Sequence, residues 1–261
     1  MGRRRSPLAT ASWRLAIEAE GRTGAENMAI DQALLREAQQ GRASLRLYRW
    51  SPPCLSFGRN EPTRSRYDFE KIRALGLDTV RRPTGGRAVW HDRELTYTVA
   101  APTAMFGSLQ EAYITIHRML AEALRRLGAS VEVAGKPKGR PPGPGGGACF
   151  AAPVGGEIVA GGLKLVGSAQ VREGDALLQH GSLLLENGQD LVARVSAGPS
   201  VAPAATSLSA VLGRSVTFDE VADVIAETAK ASWGGTWTVV VPPCSADDVA
   251  RFANPSWTLR R

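Results

Sequence analysis

Long apolar runs are absent from this chain: no stretch of about 18 consecutive apolar residues occurs, which argues against a membrane-spanning helix. Cysteine is scarce. Cys54, Cys149 and Cys244 are odd in number and widely spaced, so they form neither a disulfide framework nor a CxxC metal pair. The three histidines, His91, His117 and His180, are equally scattered, and nothing has zinc-ligand spacing. A reduced, cytoplasmic compartment and no metal are therefore expected. Lysine is rare too: Lys71, Lys136, Lys138, Lys164 and Lys230 stand beside 27 arginines. Met1-Gly2-Arg3-Arg4-Arg5 is basic, but no apolar segment follows it, which argues against a secretory or twin-arginine signal. Aromatic residues make up 6% and do not interleave with the cations, and no helix-turn-helix spacing appears, so nucleic-acid binding is not expected.

What is present is 261 residues, 43% hydrophobic, with a net charge of +7. That length supports one large domain or two small ones, and the excess charge raises encounter rates with acidic partners. Strand patterns cover Trp13–Ala19, Ser44–Trp50, Cys54–Phe57, Thr79–Arg82, Glu94–Ala101, Glu157–Ala160, Leu163–Val171 and Ala176–Leu185. Helices are predicted over Gly24–Gln40, Tyr67–Leu75, Thr217–Ser232 and Ala246–Ala253, the last stopped at Asn254-Pro255. The clearest helix opens at Ser108, where Ser108 and Glu111 have capping-box spacing and Leu109, Ala112, Ile116, Leu120, Ala123 and Leu127 share one face up to Gly128. His117, inside it, reads as structural. Residues 136–147 are Gly, Pro, Lys and Arg, and read as a mobile loop. Strands gathered in the middle with helices interspersed predict an α+β, mixed-sheet sandwich rather than a doubly wound fold.

Three polar, glycine-bearing segments interrupt these strands. Arg81-Arg82-Pro83-Thr84-Gly85-Gly86-Arg87-Ala88-Val89-Trp90-His91-Asp92 puts cations, a hydroxyl and two glycines between apolar stretches. Its backbone N–H groups could approach an oxygen-rich ligand closely, although a plain glycine turn with exposed arginines fits the same residues. Gly167-Ser168-Ala169-Gln170 and Gln179-His180-Gly181-Ser182 offer small residues and hydroxyls on the following strands. Three such breaks in neighbouring strands are what a cleft over a sheet needs. Cys149 follows the flexible loop; it is either a small buried hydrophobe or a thiol nucleophile activated by a nearby cation. Lys164 lies in an otherwise apolar strand, pointing to solvent, to a partner or into a pocket.

In order along the chain, these residues resemble the lipoate/biotin protein ligase superfamily. Arg81 to Val89 with His91-Asp92 and Leu95-Thr96-Tyr97 look like its signature. Gly24-Ala25-Glu26-Asn27-Met28-Ala29-Ile30-Asp31 and Ser56-Phe57-Gly58-Arg59-Asn60 look like blocks of its lipoate branch. Ala148-Cys149-Phe150, Lys164 to Gln170 and Leu178-Gln179-His180-Gly181-Ser182 resemble the octanoyltransferase LipM subgroup. Departures are Gly155-Gly156, where a bulkier pair is common, and Leu163 and Val171, where arginines are frequent.

The resemblance implies a single catalytic domain over residues 1–261, with its motif-bearing core at about 24–240. It implies movement of an octanoyl group from acyl carrier protein, through a thioester on Cys149, to a lysine of a lipoyl-type domain such as the glycine cleavage H protein or an E2 subunit. Cys149 and Lys164 are the implied catalytic residues. Arg82, Thr84, Gly85, Gly86, Arg87, His91, Gly167, Ser168, Ala169, Gln179, His180 and Gly181 are the implied substrate contacts. A thioester donor requires no cofactor; the ping-pong route needs no ATP. ATP enters only in the alternative, a lipoate–protein ligase on the same fold, in which Lys164 would contact an acyl-adenylate. A monomer without nucleic-acid or membrane partners is expected.

Overall fold

The computed structural model describes residues 7–135, 156–200 and 204–260. β1 (Ser12–Arg22) runs through Thr23 into α1 (Gly24–Gln39). Thr23 and Glu26 close a full capping box, the side chain of each receiving the other's backbone N–H. β2 (Ala43–Trp50) and β3 (Cys54–Phe57) follow, then two short helices, α2 (Thr63–Arg66) and α3 (Phe69–Ala74). β4 (Asp78–Arg81), β5 (Val89–His91) and β6 (Glu94–Pro102) lead to α4 (Leu109–Arg126), where Ser108 accepts from the Glu111 N–H and Gly128, at φ +94°, ends the helix region. β7 (Glu132–Val133), β8 (Ile158–Ala160), β9 (Leu163–Glu173) and β10 (Ala176–Leu184) come next. The chain continues through α5 (Asp190–Arg194), α6 (Leu208–Leu212), α7 (Phe218–Trp233), β11 (Thr236–Val239), α8 (Ala246–Ala253) and α9 (Pro255–Thr258).

Eight strands form one mixed sheet in the order β11-β1-β2-β6-β10-β9-β8-β7. β11, β1 and β2 pair in parallel and the remaining pairs are antiparallel. A small sheet places β3 between β4, parallel, and β5, antiparallel. Every residue of β10 is buried because helices cover both faces of the large sheet. On one face Leu95, Tyr97, Val99 and Ala101 of β6 join Ile116 and Leu120 of α4 and Ile225 of α7. On the other, Ala100 and Leu178 meet Ile30 and Leu34 of α1. The period-two alternation of β6 thus sends its odd and even residues into different cores.

The mixed α+β architecture agrees with the sequence reading, and most elements fall within two residues of their predicted ends. β11 was missed. Its residues are mostly exposed and pair only at the edge with β1, so no core pattern marks them. Asn254-Pro255 stops α8 after Ala253, as expected, and also opens α9: Asn254 accepts from the Ser256 N–H and Pro255 occupies the first turn, where its missing N–H costs nothing. The loop predicted at 136–147 lies outside the described residues, as does Cys149.

Candidate active site

A narrow cleft opens where β2, β6, β9 and β10 meet the small sheet and α1. Met28, Tyr48, Trp50 and Val89 give it apolar walls. Arg82, His91, Thr96, His180 and Ser182 supply polar atoms, and the backbones of Gly167–Ala169 and Gly181 form the remaining wall. Seven of the sequence-derived contacts therefore converge: Arg82, His91, Gly167, Ser168, Ala169, His180 and Gly181.

Two buried carboxylate–imidazole–hydroxyl relays stiffen this cleft. Asp31, fully buried on α1, accepts from His180 Nδ1 (2.8 Å), Tyr48 (3.2 Å), Thr98 (2.9 Å) and Arg46 (3.2 Å). The carboxylate only accepts, which places a proton on Nδ1, and Nε2 lies 2.6 Å from the Thr84 hydroxyl. Likewise Glu94 Oε1 lies 2.7 Å from His91 Nδ1, and His91 Nε2 lies 2.6 Å from Ser56 Oγ. Burial pushes the His91 ring down from its ordinary value; Glu94 opposes this, and Arg82 adds to it. Trp50 stacks on that ring at 3.9 Å.

The glycine run is held in place by its own hydrogen bonds. Thr84, Gly85, Gly86 and Arg87 are not among the residues that line this cleft. Arg82 donates to the carbonyls of Ser56, Gly85 and Arg87 and so ties the loop down. Gly86 has φ +91°, and its carbonyl lies so close to Gly58 that a Cβ there would sit 2.0 Å from Gly86 O. The loop thus meets Gly58 on one side, while Gly86 itself is exposed and Gly85 faces open space.

Gln179 also faces away from the cleft. It points to the α4 side of the sheet, opposite His180, and donates to the Tyr97 hydroxyl (2.7 Å) while accepting from Gln170 (2.8 Å). Tyr97 lies 2.7 Å from Ser168 Oγ, and Ser168 Oγ lies 2.8 Å from His117 Nε2. His117 Nδ1 is 2.6 Å from the Gly156 carbonyl. Burial is the main reason that the His117 pKa falls to about 4. Gly181 makes room for this cluster, since a Cβ there would lie 2.4 Å from Ser168 Oγ and 2.6 Å from Gly167 O. Ser168 and Ala169 also border a second, wider cavity beside Tyr113, Ile114 and Glu157.

Lys164 is 1% exposed and its Nζ lies 2.5 Å from Glu157 Oε1, seven residues back across the β8–β9 hairpin. It does not line the cleft. Of the other thiols, Cys54 is buried and burial pushes its pKa well up; that makes it a poor nucleophile. Among the described residues no group of three metal-ligating side chains occurs. Sequence reasoning assigned no role to Asp31, Ser56, Glu94 or Glu157, and gave His117 a structural one. Asp31 and Ser56 lie inside the quoted family blocks, which was the available signal.

The family model described as the lipoyl protein ligase A/B catalytic domain matches residues 23–230. A protein named octanoyltransferase LipM from Moorella thermoacetica is 47% identical over 173 residues, 64% of this chain and 63% of that protein. The chain thus spans just under two thirds of that relative's length. A protein of the same name from Kyrpidia tusciae is 35% identical over 96% of this chain and 99% of its own. Among solved structures, a T. acidophilum protein with bound lipoic acid matches with a TM-score of 0.76 at 20% identity, covering 97% of this chain and all of that one. Lipoate-protein ligase A bound with ATP matches with a TM-score of 0.70 at 20% identity, covering 95% and 94%. These two show a shared fold.

Proposed function

Because the chain belongs to the lipoyl protein ligase A/B catalytic domain family, we propose that it is an octanoyltransferase. It moves octanoate from acyl carrier protein, through a thioester on Cys149, to a lysine of a lipoyl-type domain. The observation that carries this reading is the cleft itself. Its walls of Met28, Tyr48, Trp50 and Val89 suit an unbranched acyl chain, and each buried CH₂ contributes about 0.8 kcal/mol. Arg82, the cation in the cleft wall, already spends its guanidinium on Ser56, Gly85 and Arg87, which favours an acyl group over the phosphate of an adenylate. The names of the relatives from M. thermoacetica and K. tusciae support the same assignment.

The chemistry is nearly thermoneutral in its first step. The Cys149 thiolate attacks the donor thioester, a new C–S bond forms, and the carrier thiol leaves. The acceptor amine then forms a C–N bond, the Cys149 sulfur leaves with the proton, and an amide results. Lys164 is the group assigned to stabilise the thiolate, with Glu157 sharing its ammonium. The basic surface would steer acidic carrier domains towards the enzyme.

The test is incubation with octanoyl-acyl carrier protein in the absence of ATP, followed by mass spectrometry. A hydroxylamine-labile octanoyl adduct should map to Cys149, vanish in Cys149→Ala, and persist in Cys54→Ala and Cys244→Ala. Full transfer by Cys149→Ala, or a strict need for ATP, overturns the proposal.

A further inference from the structure

The proton positions around Ser168 follow from its neighbours. A carbonyl only accepts, so His117 Nδ1, 2.6 Å from Gly156 O, carries a hydrogen. The ring is buried and neutral near pH 7, its pKa lowered to about 4. Nε2 is therefore an acceptor. Tyr97 already receives an N–H from Gln179, whose carbonyl is held by Gln170. Two hydroxyl protons remain. In one arrangement Tyr97 donates to Ser168 (2.7 Å) and Ser168 to His117 (2.8 Å). In the other Tyr97 donates to His117 across 3.3 Å and Ser168 to Tyr97. The first has the shorter contacts, since 3.3 Å is long for an O–H to nitrogen bond, and it turns the Ser168 proton inward to His117. The half-buried hydroxyl thus presents only lone pairs to its open side, and donating inward makes it a stronger acceptor.

Its place gives this polarity a use. Ser168 borders both the narrow apolar cleft and the wider cavity beside α4. An acyl chain lying in the first would bring its carbonyl end to the boundary, and a nucleophile entering by the second would arrive at the same point. A thioester brings no proton to share. A primary amine brings two, plus a lone pair to spend on carbon.

We propose that Ser168 Oγ accepts an N–H from the acceptor lysine's neutral amine, holding its nitrogen lone pair towards the acyl carbon, with His117 and Tyr97 as positioning residues. This rests on the octanoyl-transfer reading. The C–N bond forms, the C–S bond breaks, and the departing sulfur takes the amine proton; Ser168 and His117 end as they began. His117 here is an acceptor that orients, not a base that stores a proton.

The experiment measures two rates separately: self-acylation from octanoyl-acyl carrier protein, and transfer from the isolated octanoyl-enzyme to an apo lipoyl domain. For Ser168→Ala the ratio of transfer to acylation should fall about five- to tenfold, the worth of one hydrogen bond of about 1 kcal/mol. His117→Gln should keep the ratio, because Oε1 can accept from Ser168 while Nε2 donates to Gly156. His117→Leu should lower it as Ser168→Ala does. If His117→Leu does not fold, the other two variants decide. A ratio within twofold of wild type in Ser168→Ala overturns the proposal, as does His117→Gln losing the ratio with Ser168→Ala. If wild type forms no acyl-enzyme, the octanoyl reading falls and takes this one with it; a wild-type adduct with an unchanged Ser168→Ala ratio removes this proposal alone.

Discussion

Replacing Asp31 should damage this fold more than replacing any surface carboxylate. Its oxygens accept four hydrogen bonds, from Arg46, Thr98, Tyr48 and His180, and the residue has no exposed surface. Asp31→Ala leaves the fully buried Arg46 guanidinium with Glu18 and Asn27, and leaves His180 Nδ1–H without an acceptor. Breaking a buried pair by removing one member costs about 3–5 kcal/mol. Glu18, 2.6 Å from Arg46 Nε, still neutralises the cation, so the lower end, about 3 kcal/mol, applies. In a chain of this size that is a fall in Tm of roughly 6–12 °C. Asp31→Asn should cost less, about 1–2 kcal/mol. Its carboxamide can donate to His180 Nδ1, the ring proton can move to Nε2, and Nε2–H can then donate to Thr84, reversing the relay. Urea titration at constant slope measures the losses, and the ¹⁵N shifts of the His180 ring report the tautomer. A loss below about 1 kcal/mol for Asp31→Ala, or an unchanged tautomer in Asp31→Asn, would refute the account of how the cleft is stiffened.

How legible the sequence was depends on how local each cause is. α1 and α4 could be read because caps and apolar spacing lie within the helices themselves. β9 and β10 could be read from apolar runs bounded by glycines. The partners of the polar residues were not local. Ser168 reaches His117 across 51 positions and His180 reaches Asp31 across 149, so neither pairing leaves a trace in either segment alone. An aspartate within a helix ordinarily reads as solvent-facing; only the fold shows Arg46 beneath it. Gly85-Gly86 signalled close approach, but not that the Gly86 carbonyl packs against Gly58. Lys164 was singled out as one lysine in an apolar strand, while its partner Glu157 looked like an ordinary strand-leading acid.

Three further outcomes follow from particular contacts. Gly58→Ala forces its new methyl within 2.0 Å of Gly86 O and should cost at least 1–3 kcal/mol, whereas Gly85→Ala meets nothing within 4 Å at an ordinary φ and should be neutral or slightly stabilising; thermal melts of the pair would show the order, and equal losses would refute it. Ile116→Ala, at a fully buried position between α4 and the large sheet, should cost about 2–5 kcal/mol in the same assay. His117 sets a pH dependence of stability. Unfolded, its ring takes a proton near pH 6.5; folded, burial delays this to about 4. Between those values only the unfolded chain binds the proton, so acid favours unfolding. The contribution is intact above about pH 6.5 and is lost as pH drops, the loss reaching about 3 kcal/mol by pH 4. The carboxylates titrate in the same range, so the informative quantity is the difference between wild type and His117→Gln, which cannot bind that proton. The variant should lose less stability than wild type between pH 6.5 and 4, by up to about 3 kcal/mol, while above pH 7 the difference between the two stays flat with pH. Parallel curves through the acid range would mean that the folded ring is protonated as readily as the free one, and that His117 is not the neutral acceptor its contacts with Gly156 and Ser168 require.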